Sequence, residues 1–147
     1  MYGILIRMKK ITVFTDGGAR GNPGPAGLGV HIVDAEGTLV KEVSHYLGEQ
    51  TNNFAEYSGA LVALETLREL YGDETHNMQF EIKLDSELVQ KQIEGVYKVK
   101  SETLRPLHTQ IVSLRDAHFP NITFTHVRRE YNKDADRLAN EAMDRGA

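Results

Sequence analysis

Residues 11–18 read Ile11-Thr12-Val13-Phe14-Thr15-Asp16-Gly17-Gly18. A β-branched and aromatic run of this kind suits a strand buried in a sheet. It ends on a carboxylate and breaks into glycines, with Gly21, Gly24 and Gly27 close behind. An Asp at that point is either a turn residue or a group held on rigid backbone at the sheet edge where α/β folds place their sites. Glycines beyond it let backbone approach a ligand closely. The stretch alone does not separate the two readings, so the rest of the chain has to.

Outward from this strand, placed at residues 10–16, residues 17–26 form a loop with the turn signal Asn22-Pro23-Gly24-Pro25. Residues 27–34 alternate as a second strand, and Ala35-Glu36-Gly37 turns it into a third at 38–47. Thr51-Asn52-Asn53 opens a long helix in which Asn53 and Glu56 have capping-box spacing. Tyr57, Ala60, Leu61, Leu64 and Leu67 carry its apolar period, and Gly72 ends it. A fourth strand at 78–84 also ends on a carboxylate, Asp85, ahead of a short helix at 86–94 closed by Gly95. Tyr97-Lys98-Val99-Lys100 is an exposed basic connector to a helix at 103–117, where Pro106 sits near the start. A fifth strand at 121–127 precedes a last helix at 132–144 with the stripe Ala135, Leu138, Ala139, Ala142 and Met143. This order predicts an α/β fold: a five-stranded mixed sheet with an antiparallel hairpin edge and helices packed on its faces.

The 147 residues suit one domain with a full core. The absence of cysteine excludes a disulfide framework, a thiolate metal site and a Cys nucleophile. The start is too short for a signal peptide and nothing approaches a membrane span, so a cytoplasmic monomer is expected. Met8 offers a second start, which makes residues 1–8 read as an N-terminal extension of the first strand. The formal net charge of −4 argues against a nucleic-acid binder, which is usually basic.

Four carboxylates stand at special places. Asp16 and Asp85 end strands, while Glu56 and Asp136 fall in the first turns of helices. Taken singly, the helical pair reads as dipole and cap chemistry, and Asp85-Ser86 as a cap for the next helix. Neighbouring strands would bring all four to one patch, where ionised acids need a counter-charge. Oxygen ligands without Cys suit Mg²⁺ or Mn²⁺. Two such ions roughly 4 Å apart form an arrangement that hydrolyses phosphodiesters. Their four positive charges also offset the acidic balance.

The motifs Thr15-Asp16-Gly17-Gly18, Gly21-Asn22-Pro23-Gly24-Pro25-Ala26-Gly27, Thr51-Asn52-Asn53-Phe54-Ala55-Glu56, Asp85-Ser86 and Asn132-Lys133-Asp134-Ala135-Asp136-Arg137-Leu138-Ala139 occur in order, and the acids Asp16, Glu56, Asp85 and Asp136 lie within them. From about Lys9 onward the chain resembles the type 1 ribonuclease H family. The resemblance implies a ribonuclease H-like fold and two-metal cleavage of the RNA strand of an RNA–DNA hybrid, with 5′-phosphate and 3′-hydroxyl ends. It makes Asp16, Glu56, Asp85 and Asp136 the catalytic metal ligands. Asn22, Asn52 and Asn53 match positions that meet the 2′-hydroxyls of the minor groove, and Thr51 matches a phosphate-pocket position on the DNA strand. The Asn residues also satisfy turn and cap chemistry, and both roles are expected together.

Some positions depart from the family pattern. Glu87 stands where the family often has Gln, and no Trp-rich basic protrusion follows the fourth strand. The chain therefore resembles the compact branch, with Lys98, Lys100 and Arg105 left to supply cations or to form a solvated face. The family loop His has no plain counterpart. His126 continues the alternation of Ile122 and Phe124, which predicts a packed, structural His. Arg129 is then the residue that assists at the scissile phosphate. The alternative to an enzyme is a module of the same fold that binds hybrids or double-stranded RNA with weak or no cleavage.

Overall fold

The structure, a computed structural model, describes residues 8–147. Of the expected extension at 1–8, only Met8 lies among the described residues, just ahead of the first strand.

Strand β1 (Lys9–Ala19) is the centre of the sheet. It pairs antiparallel with β2 (Gly24–Val33), which pairs antiparallel with β3 (Leu39–Gln50). Helix α1 (Asn52–Tyr71) and a 3₁₀ segment (Gly72–Asn77) lead to β4 (Met78–Leu84), which joins β1 in parallel. Helices α2 (Glu87–Ile93) and α3 (Arg105–His118) then lead to β5 (Ile122–His126), parallel to β4. A 3₁₀ turn (Arg129–Tyr131) and α4 (Lys133–Arg145) end the chain. The sheet order is β3-β2-β1-β4-β5, the mixed five-stranded sheet that the sequence predicts.

Glycines decide how the helices sit. Gly17 and Gly18 are not loop residues: they extend the β1 ladder opposite Leu28 and Gly27. A Cβ on Gly17 would stand 2.1 Å from the Ala55 carbonyl oxygen, so α1 presses directly on this strand. A Cβ on Gly29 would meet the Ala135 carbonyl oxygen at 2.2 Å, which seats α4 on β2. Leu28 pairs with Gly17 and Gly29 with Asp16, and adjacent strand residues alternate faces. Helices α1 and α4 therefore cover opposite faces. The main core lies under α1, with Tyr57, Leu64 and Leu67 against Ile11, Val13, Leu28 and Ile82. The predicted stripe of α4 is buried at Ala135, Leu138, Ala139 and Ala142. Outside that stripe, His31 of β2 and Arg137 of α4 share the Glu42 carboxylate of β3 at 2.7 and 2.6 Å.

Helix α1 starts earlier than the capping-box spacing predicts. Thr51 is its N-cap, and the Thr51 hydroxyl accepts from Phe54 N–H at 3.2 Å. Glu56 consequently lies beyond the first turn, with its carboxylate not engaged as a cap. Among the described residues no helix is long and apolar enough to cross a membrane.

Candidate active site

The parallel register of β1 and β4 runs out at Thr15 opposite Leu84. The next residues are Asp16, which lies inside β1 and not at its end as the sequence suggests, and Asp85, which directly follows β4, so sheet pairing alone makes them neighbours. Close seating of α1 on Gly17 brings Glu56 to the same place. One oxygen each from Asp16, Glu56 and Asp85 lies within 4.8 Å of the others. Asp136, in the first turn of α4, stands outside this tight trio and lines the same cleft of about 480 Å³. The four predicted carboxylates thus face one cavity, three in mutual reach and one at its wall.

Asp16 is buried, and its Oδ1 accepts from Gly17 N–H at 2.9 Å. Desolvation pushes its carboxyl up to about 7, with the charges of Asp85 and Asp136 adding to the shift. Burial and then the Asp16 charge hold Glu56 well above the usual carboxylate range. These acids are poorly solvated and repel one another, which is the state a bound cation relieves. The donors are all oxygen, without Cys or His, and so they fit a hard divalent ion.

Asn22, Thr51, Asn52 and Asn53 line a second groove of about 510 Å³ with Ser101, Thr103 and Leu104. Asn52 and Asn53 border both cavities, so the polar surface is continuous. Asn22 Oδ1 accepts from Asn52 N–H at 3.0 Å, and Asn52 Oδ1 accepts from Ala19 N–H at 2.8 Å. The turn and the helix start are locked together through these oxygens. Among the described residues, no hydrogen bond occupies the Nδ2 of Asn22 or Asn52, or the Asn53 side chain.

Arg129 borders the carboxylate cleft, as do Arg20, Ser86, Asn140 and Met143. Arg20 is paired with Asp144 at 2.7 Å. Lys98, Lys100 and Arg105 are exposed and line neither cavity. The expectation of a packed His126 is overturned: its side chain is 38% exposed, with Nδ1 3.9 Å from Glu87 Oε2. Alternation sets the side to which a strand residue points. It does not set depth, and His126 is the last residue of β5, past the buried Phe124.

Sequence reasoning passed over Ser101 and Thr103, which reach the groove only because the connector folds back against the start of α1. It also passed over Asn132 as a residue in its own right. The Asn before an acidic helix start was a visible signal.

A family model described as reverse transcriptase-like matches residues 14–142. The fold is similar to LC11-RNase H1, isolated from compost by a metagenomic approach, with a TM-score of 0.89 and 49% identity over 94% of this chain and 98% of that one. LC11-RNase H1 has also been solved in complex with an RNA/DNA hybrid. Ribonuclease HI of Halobacterium salinarum is 37% identical over 92% of this chain and 65% of its own length. A bifunctional protein of Mycobacterium tuberculosis is 40% identical over 94% of this chain, which spans about a third (36%) of that relative.

Proposed function

The chain belongs to the type 1 ribonuclease H family, and on that premise we propose that it is an endoribonuclease cutting the RNA strand of RNA–DNA hybrids. It acts in this reading as a cytoplasmic monomer. The observation that carries the proposal is the convergence of Asp16, Glu56 and Asp85 within 4.8 Å, with Asp136 on the wall of the same cleft.

In this reading Asp16, Glu56, Asp85 and Asp136 hold two Mg²⁺ ions, or Mn²⁺ in their place. When bound, such ions supply activation of the attacking water and charge neutralisation at the leaving oxygen. Water adds to phosphorus, the bond to the ribose 3′-oxygen breaks, and that oxygen takes a proton. The products carry 5′-phosphate and 3′-hydroxyl ends. The protein's own part is to orient and to exclude. The unoccupied amide donors of Asn22, Asn52 and Asn53 suit the 2′-hydroxyls of a shallow minor groove. The Thr51 end of α1 receives a phosphate of the DNA strand. A guanidinium carries only donors and no acceptor, so Arg129 serves to hold charge and not to relay the proton. It holds the scissile or leaving phosphate by charge-assisted hydrogen bonds.

The test is an RNA–DNA hybrid labelled in turn on each strand, incubated with Mg²⁺ and separately with Mn²⁺. The expected result is cleavage of RNA alone, with duplex DNA intact. Equal cutting of duplex DNA, or binding of the hybrid without cleavage in either ion, overturns the proposal.

A further inference from the structure

Asn132 is fully buried, at 0% exposure, between the last 3₁₀ turn and α4. Each of its polar groups but one is committed to a different part of the site. Its side-chain Nδ2 donates to the Thr15 carbonyl oxygen at 3.0 Å, one residue before Asp16. Its carbonyl oxygen accepts from Asp136 N–H at 3.1 Å, and its own N–H donates to the Arg129 carbonyl oxygen at 2.9 Å. The remaining atom, Oδ1, is buried without a partner, and so is the Thr15 hydroxyl.

An unpaired buried acceptor costs stability. The amide accepts that cost while its Nδ2 keeps the buried hydrogen bond to Thr15. What the amide does uniquely is link the end of β1 to the start of α4. Glu56 and Asp85 need no such link, because close backbone seating at Gly17 and the β1–β4 register place them. Asp136 comes from the opposite face of the sheet and stands apart from the trio. We propose that Asn132 is the positioning residue that sets Asp136, and with it the Arg129 turn, against Asp16.

This inference rests on the metal-site reading above, and the test separates the two. Mn²⁺ affinity is measured by calorimetry without nucleic acid for the parent, Asn132→Ala, Asp136→Asn and the double variant. Outer-shell partners of metal ligands typically contribute 10–100-fold in affinity. Asn132→Ala is expected to weaken Mn²⁺ binding by about that factor, and to add nothing once Asp136 is already Asn. It should also lower kcat while leaving KM for the hybrid within about twofold, because a fully buried side chain does not touch substrate. Phe119→Leu, a core change far from the cleft, serves as the comparison for general loosening and should bind Mn²⁺ as the parent does. Should Asn132→Ala fail to fold, Asn132→Ser keeps a donor but is one bond shorter, and it carries the same comparison. If the parent binds no Mn²⁺, the metal-site reading fails and this proposal with it. If the parent binds and the Asn132 variant binds equally well, the proposal alone falls. It also falls if the losses at Asn132 and Asp136 add, or if Phe119→Leu reproduces the loss.

Discussion

Asp16→Asn should end cleavage and yet make the metal-free protein more stable at pH 8. Asp16 is pushed up to about 7 by burial first and by the Asp85 charge second, whereas its ordinary value is 3.8. Across that window the folded state holds a proton that the unfolded chain has released. Stability contributed by this site therefore falls as pH rises from 3.8 to about 7 and stays low above it. A shift of that size corresponds to about 4 kcal/mol as an upper limit. Asn keeps an acceptor for the Gly17 N–H and removes the charge, but Glu56 and Asp85 still face each other. About half the limit, roughly 2 kcal/mol, is the expected gain. For a chain of this length 1 kcal/mol moves the melting temperature by about 3 °C, giving roughly 6 °C at pH 8. At pH 5 only about a third of the window has been crossed, so the gain shrinks to roughly 2 °C. The assay is thermal melting in chelator at both pH values, repeated with saturating Mg²⁺. The ion should stabilise the parent and close or reverse the gap. An equal gain at pH 5 and pH 8, or no gain at pH 8, would refute the argument that burial and neighbouring acids make an ionised Asp16 destabilising.

Two further substitutions test the geometry. Gly17→Ala would drive a Cβ to 2.1 Å from the Ala55 carbonyl oxygen and 2.6 Å from Glu56 N. Both are backbone atoms, so α1 must retreat and carry Glu56 with it; cleavage should drop at least tenfold and melting by several degrees, and a fully active variant would show that Glu56 is not set by this contact. Arg129→Ala should slow turnover by roughly one to two orders of magnitude, as for loss of one charge-stabilising donor. His126→Ala, at an exposed strand end, should leave melting nearly unchanged. Rates lost at His126 and kept at Arg129 would make His126 the assisting group.

Much of this molecule was legible in local pattern. Residues 78–84 read as a strand ending on a carboxylate, and Met78–Leu84 is the observed span of β4. The α4 stripe was readable because a 3.6-residue period has one buried face. Other assignments failed where local preference met tertiary demand. Gly17 and Gly18 have poor strand propensity, yet they pair in the ladder because only a glycine at position 17 lets α1 approach. Asn53 had the spacing of a cap, but Thr51 holds that place, and the neighbouring Asn52 is tied to Ala19 by its side chain. His126 was assigned the right strand and the wrong depth.

By itself, the sequence singled out the candidate groups Asp16, Glu56, Asp85 and Asp136, each by its position relative to a strand or a helix start. Only the tertiary structure decided that three of them lie within 4.8 Å of one another and that the fourth stands at the cleft wall. The reason is range. Propensity and periodicity act over a few residues along the chain. Strand register brings Asp85 beside Asp16, a glycine that admits helix backbone brings Glu56 there, and one buried amide reaches from Asn132, ahead of Asp136, to Thr15.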